Sequence, residues 1–180
     1  MNRIVFYGDS LIEYYPLYRY YKFGQSVNLG FAGYTAKELS QTSYTNQAIL
    51  ERPDQLVYLA GTNDMSTGLE HEPEDIVKAI EKTLNVFKES MPNCDVYVCS
   101  LLPCWHEHMD GFTLTKGIRS NEKIQVINDL LKKLDYPYID LFNLFYQDGS
   151  VLTQYYQDSL HVNEDGYDLM TKQINNTLKL

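Results

Sequence analysis

Positive charge is scarce in this chain. Its 180 residues carry 15 Lys and Arg against 24 Asp and Glu, a net charge of −9, with a pI near 4.8. Nucleic acids and anionic membrane surfaces are bound mainly through Lys and Arg. Neither is expected as a partner, and no basic stripe offsets the balance. Cysteine is also scarce. Cys94, Cys99 and Cys104 form an odd set with no C-x-x-C pair, so they read as buried free thiols of a reducing cytosol. Long apolar runs are missing, and none approaches the ~20 residues of a membrane span. The N-terminus offers only Met1-Asn2-Arg3 before a run that ends at Gly8. That run is too short for a signal h-region and has no cleavage site, so a cytoplasmic protein is expected. Linkers, repeats and low-complexity tracts are absent too. Residues 1–180 are therefore expected to form one domain with a sizeable core.

What is present is an ordinary globular balance, 44% apolar and 22% charged, with strands and helices in alternation. Arg3 to Tyr7, Ser26 to Leu29, Leu56 to Ala60, Val96 to Leu101 and Tyr138 to Leu141 read as five strands. Most are continuous apolar runs, as strands are when both faces are covered. Helices are expected over Ala36 to Glu51, Glu72 to Ser90, Arg119 to Leu134 and Glu164 to Leu178. Thr35 and Glu38 match a capping box for the first of these, with Leu39, Ala48 and Leu50 as core candidates. Pro16 breaks or shortens any helix between Leu11 and Phe23. Phe142 to Asp158 reads as irregular. The alternation implies right-handed βαβ units, an α/β fold with a parallel sheet between two helix layers.

Unusual residues gather where these strands end. The first strand stops at Gly8-Asp9-Ser10-Leu11. The second leads to Gly30 and Gly33, and the third to Gly61-Thr62-Asn63-Asp64. Asp158-Ser159-Leu160-His161 precedes the last helix. In a parallel sheet the carboxyl ends of the strands share one rim, where open α/β sheets place their ligands. A serine, a histidine, a carboxylate and amide donors thus converge on one crevice. Alone, Ser10 would be an ordinary helix cap. In this company it reads as a nucleophile, which a serine hydroxyl becomes only beside a base. His161 can take its proton and return it to the leaving group. Asp158 can orient the imidazole. The Ser10 N–H, the Gly33 N–H and the Asn63 amide can receive a developing oxyanion. Gly30 is a competing donor. Asp9 and Asp64 read as structural, with Asp9 holding the turn under Ser10.

Gly8-Asp9-Ser10-Leu11, Gly33, Gly61-Thr62-Asn63-Asp64 and Asp158-Ser159-Leu160-His161 resemble, in order, the four sequence blocks of the SGNH hydrolases, the GDSL-type esterases and lipases. The resemblance spans Tyr7 to Tyr167. It implies Ser10 as nucleophile, His161 as base and Asp158 as the third triad member. Ser10 N–H, Gly33 and Asn63 become the oxyanion hole. It also implies a flavodoxin-like three-layer α/β/α sandwich with five parallel strands, and no metal or organic cofactor. Val162 stands where proline is frequent in the family, and Ala32 and Tyr34 flank Gly33 where serine and aspartate are frequent. No catalytic group is lost by these departures. The activity implied is hydrolysis of a small-molecule ester, a small or short-chain acyl ester such as an O-acetylated sugar, through an acyl-enzyme on Ser10. Lysophospholipase, thioesterase or acyltransferase activity on the same site, and a non-catalytic binding module, are the alternatives.

Two features lie outside the blocks. His106-Glu107-His108 resembles a metal pair, but residues two apart share no helix face and no third ligand is near, so no metal site is assigned. Leu11, Trp105 and His106 are taken instead as substrate-pocket walls. The second feature is a run of tyrosines, part of a total of 16, from Tyr14 to Tyr21. It reads either as a rim over a sugar or acyl chain, or as a packing or homodimer surface.

Overall fold

The computed structural model describes residues 2–66, 68–69, 71–105 and 119–180. Five parallel strands form the central sheet: β1 (Ile4–Gly8), β2 (Ser26–Gly30), β3 (Gln55–Leu59), β4 (Asp95–Cys99) and β5 (Tyr138–Ile139). Their order is β2-β1-β3-β4-β5. This is the flavodoxin-like order, whose switch point falls between β1 and β3.

Side chains alternate across the strands with a period of two. Val5, Tyr7, Leu56, Tyr58, Val96 and Val98 face one core. Helices α2 (Ala36–Leu39), α3 (Thr42–Leu50), α4 (Pro73–Ser90) and α5 (Asn121–Leu131) cover it. Ile4, Phe6, Val57 and Leu59 face a second core. That side is covered by the single turn α1 (Ser10–Glu13) and by α7 (Glu164–Leu178). The helix faces are those the 3.6-residue period gives. Ile76, Ile80, Leu84 and Phe87 of α4 are buried, as are Tyr167, Met170, Ile174 and Leu178 of α7. Each such side chain contributes roughly 1.5–3 kcal/mol on burial.

Several boundaries differ from the sequence expectation. The helix expected over Ala36 to Glu51 is two helices. Thr35 and Glu38 do form the capping box, but Ser40 closes α2 and Gln41 is extended, with ψ 142°. The restart turns α3 so that Thr45 and Ala48 face inward. Leu50, expected in the core, is 79% exposed, since it lies about 200° round the helix from Ala48 at 100° per residue. The fifth strand stops at Ile139 rather than Leu141 because the Ser100 hydroxyl accepts the N–H groups of Leu141 and Phe142, at 2.8 and 2.7 Å. The stretch expected to be irregular holds α6 (Phe142–Phe145) and a hairpin of β6 (Tyr146–Gln147) and β7 (Ser150–Val151). Its two-residue turn is Asp148-Gly149, both with positive φ, the chemistry of a primed hairpin turn.

The tyrosine run is largely a packing surface. Tyr15 and Tyr21 are buried, and the hydroxyls of Tyr15, Tyr20 and Tyr21 meet Thr171, Asp168 and Asn175 of α7 at 2.6, 2.7 and 2.8 Å. Tyr15 also stacks on Tyr167, with centroids 4.9 Å apart. The three cysteines are buried and form no disulfide. Among the described residues no helix is long and apolar enough to cross a membrane.

Candidate active site

Gly8 lets β1 and β3 approach at the switch point. A Cβ there would sit 1.9 Å from the Leu59 carbonyl oxygen. The chain then leaves the sheet at Asp9, which caps α1 by accepting the Leu11 N–H on Oδ1 at 3.0 Å. Ser10 is thereby fixed as the first helical residue, and it is 8% exposed.

The segment before α7 delivers the histidine. Asp158 Oδ1 accepts the backbone N–H groups of Leu160 and His161, at 2.8 and 2.7 Å. The His161 carbonyl accepts the Gln157 N–H at 3.0 Å, and Tyr156 bridges Val162. So anchored, His161 Nε2 lies 2.8 Å from Ser10 Oγ and its Nδ1 lies 2.7 Å from Asp158 Oδ2. Burial alone would raise the Asp158 pKa, but the His161 and Leu160 N–H groups and the imidazole outweigh it and hold the carboxyl below its usual range. An ionised carboxylate only accepts hydrogen bonds. The hydrogen between the two residues therefore sits on Nδ1, and in the neutral ring Nε2 is the nitrogen left to accept from the serine.

The candidate donors come from the other two strand ends. Tyr34 N–H closes a turn on the Phe31 carbonyl at 3.1 Å. Gly33, third in that turn, has φ +80°, a conformation that L side chains disfavour. Asn63 begins a 3-10 turn, Asn63–Met65, in the loop that follows β3. Its Nδ2 donates to the Tyr34 carbonyl at 3.0 Å, which links the two donor loops and leaves a second amide hydrogen. Gly30 plays another part: its N–H donates to Asn28 Oδ1 at 2.9 Å, and a Cβ there would lie 2.0 Å from the Glu13 nitrogen.

Ser10, Gly33, Asn63 and His161 line one cleft of about 160 Å³, together with Leu11, Tyr14, Ala32, Thr62 and Leu160. Tyr14 stands over the catalytic candidate histidine, ring centroids 5.3 Å apart. It is the member of the tyrosine run that reaches the cleft. Trp105 lies elsewhere. Its N–H donates to the Ser159 carbonyl at 2.8 Å, and it borders a separate hollow of about 450 Å³ with Ser120, Tyr146 and Val151. His106 and His108 fall outside the described residues, and among those described no group of three or more metal-ligating side chains is assembled.

Beneath the cleft lie buried ionisable side chains that carry no motif of their own or stand in turns. Asp64 accepts the Ala36 N–H at 2.8 Å and faces His71 Nδ1 at 3.4 Å. Burial raises the Asp9 carboxyl to about 7. Arg119, 4% exposed, reaches the loop that carries Asn63. No short motif marks Arg119 in sequence, since it is reached only by folding.

The model of the GDSL-like Lipase/Acylhydrolase family matches residues 6–169. The chain belongs to this family. Among curated proteins it is similar to the N-acylneuraminate cytidylyltransferase of Escherichia coli O18:K1:H7 (strain RS218 / NMEC), 25% identical over 182 residues. That match takes in 99% of this chain and 41% of the relative, so the chain spans about two fifths of that protein's length. A GDSL-like lipase from Bacteroides thetaiotaomicron VPI-5482 superposes with a TM-score of 0.83 at 20% identity, over 99% of this chain and 88% of that one. Est24, a carbohydrate acetylesterase from Sinorhizobium meliloti, gives 0.76 at 15% identity, over 99% of both chains. At these identities the two structures show a shared fold.

Proposed function

We infer that this GDSL-family chain is a serine esterase acting on short acyl esters. The observation that carries the reading is the unbroken chain from Ser10 Oγ through the His161 ring to Asp158, with contacts of 2.8 and 2.7 Å. The Ser10 hydroxyl proton passes to His161 Nε2 as Oγ attacks the ester carbonyl carbon. The carbonyl π electrons move onto oxygen, where the Ser10 and Gly33 N–H groups and the Asn63 amide receive the charge. Collapse breaks the bond to the alcohol, which leaves with the proton from Nε2, and Ser10 holds the acyl group. Water then attacks the acyl carbon while giving a proton to Nε2, and collapse breaks the bond to Oγ, which takes that proton back as the acid leaves.

The cleft supports a short acyl group. About 160 Å³ is below the roughly 300–1,000 Å³ of pockets that enclose drug-sized ligands. An O-acetylated sugar is the substrate class favoured. Est24 is named as a carbohydrate acetylesterase, and the curated relative is named for its action on N-acylneuraminate. The cytoplasm is the compartment proposed, from three buried cysteines that form no disulfide.

The test compares hydrolysis of p-nitrophenyl acetate and of an O-acetylated hexose by the wild type and by Ser10→Ala. Loss of turnover to the background rate is expected for both substrates. Equal rates in the two proteins would remove Ser10 from the chemistry. Acetate release from p-nitrophenyl acetate but none from the sugar ester would reject the sugar and keep the nucleophile.

A further inference from the structure

The strongest arrangement outside the serine–histidine–aspartate chain is a guanidinium buried against the loop that carries Asn63. Arg119 is 4% exposed. Its Nε donates to the Thr62 carbonyl at 3.1 Å, and its Nη2 donates to Ser66 Oγ at 3.0 Å. Ser66 Oγ in turn donates to the Asn63 carbonyl at 2.5 Å. The two contacts therefore bracket the 3-10 turn Asn63–Met65, one at the residue before Asn63 and one through Ser66 onto Asn63 itself.

Burying a guanidinium is costly, and among the described residues no salt bridge offsets that cost for Arg119. An apolar side chain of similar volume would fill the space more cheaply. What it could not supply is a rigid planar fork that holds two acceptors at a fixed separation. The acceptors held are the two ends of the turn that presents an oxyanion donor.

We propose that Arg119 is a positioning residue, which fixes the Asn63 amide at the oxyanion site by clamping the Thr62–Ser66 turn. The inference rests on the esterase reading above. Because Arg119 acts through Asn63, it shapes the barrier and leaves ground-state substrate binding nearly untouched. The Asn63 amide also donates to the Tyr34 carbonyl at 3.0 Å, so the clamp sets the distance between the Asn63 and Gly33 donors as well.

The test is a double-mutant cycle of Arg119→Met and Asn63→Ala, with kcat and KM measured on p-nitrophenyl acetate and folding followed by thermal melting. Asn63→Ala is expected to lower kcat about 10²-fold, as loss of one oxyanion donor does. Arg119→Met is expected to lower kcat roughly 10- to 100-fold with KM within about twofold, since a small misplacement of a catalytic group carries that cost. In the Asn63→Ala background the same change should cost less than about threefold, the signature of two residues acting as one. Arg119→Lys, which keeps the charge and loses the fork, should recover little of kcat.

Additive effects, or an Arg119→Met enzyme with unchanged kcat, would overturn the inference. Should Arg119→Met fail to melt cooperatively, Ser66→Ala replaces it in the cycle, because it removes only the relay to the Asn63 carbonyl; the same non-additivity is then required. A normal kcat in Asn63→Ala would reject the oxyanion reading itself, a result distinct from additivity between two damaging changes.

Discussion

Asp9→Asn should make this protein's stability less dependent on pH. The Asp9 carboxyl is 1% exposed. Burial, as the largest influence, raises its pKa from 3.8 to about 7. The Leu11 N–H, His161 and Arg119 pull the other way, and Asp64 adds to the rise. Because the folded value is raised, the folded protein keeps a proton that the unfolded chain gives up above about pH 4. Stability therefore falls as pH climbs from about 4 to about 7, and the loss levels off above that. The full gap between 3.8 and about 7 corresponds to about 4 kcal/mol, of which about 3 kcal/mol falls between pH 5 and pH 8. Asn has the same shape, cannot ionise and retains the oxygen that accepts the Leu11 N–H. Any fixed cost of burying its amide is the same at every pH and cancels when the two proteins are compared across pH. Urea unfolding of both at pH 5, 6, 7 and 8 reads the effect. The stability of Asp9→Asn relative to wild type should rise by about 3 kcal/mol over that range, or about 6–12 °C in Tm for a chain of this size. A difference that stays constant with pH, or falls, would refute a buried Asp9 with a raised pKa.

Other expectations follow from single contacts. Asp158→Asn keeps an oxygen for the Leu160 and His161 N–H groups but presents a donor to His161 Nδ1, which drives the proton to Nε2 and closes that nitrogen to Ser10. A kcat loss of about 10²–10⁴ is expected, measured on p-nitrophenyl acetate. The smaller figure applies if water, reaching a side chain that is 49% exposed, takes over as acceptor. Gly33→Ala places a Cβ in open space at φ +80°. It should cost about 1–2 kcal/mol from backbone strain alone, read by denaturant unfolding. Leu50→Lys, on the outer face of α3, should change stability by no more than about 0.5 kcal/mol in the same assay.

Much of the fold was legible because both faces of the sheet are covered. Ile4 to Tyr7 and Leu56 to Leu59 read as strands since nothing polar interrupts them, and α4 and α7 declare themselves by apolar residues at helical spacing. The breaks were less legible. Gln41 is a good helix residue in isolation, so the split between α2 and α3, and the exposure of Leu50 that follows, come from how the chain must turn to bury Thr45 and Ala48. The short fifth strand is decided by one hydroxyl, that of Ser100, just past the end of β4. Asp148-Gly149 was a readable hairpin signal, set in a stretch otherwise without pattern.

At the site, sequence blocks named Ser10, Gly33, Asn63, Asp158 and His161, and the fold brings Ser10, Gly33, Asn63 and His161 to one cleft with Asp158 behind the imidazole. Leu11 lies there too. Tyr14 could not be told from its neighbours, because one short helical turn sends it over His161 while Tyr15, Tyr20 and Tyr21 turn towards α7. Trp105 was expected at the same wall, yet it borders a separate hollow. Arg119 has no sequence signature at all: 53 residues separate it from Ser66, and only the packing of α5's start against the β3 loop joins them.

The most direct measurement on the nucleophile is covalent. A fluorophosphonate reacts with a serine only where a base activates the hydroxyl and donors hold the phosphoryl oxygen, as an ester substrate would require. Intact mass of the treated wild-type protein should show a single adduct, and peptide mapping should place it on Ser10, with none formed by a folded Ser10→Ala protein. An unlabelled wild-type protein with a normal melting curve, or an adduct on any other residue, would contradict Ser10 as the activated serine.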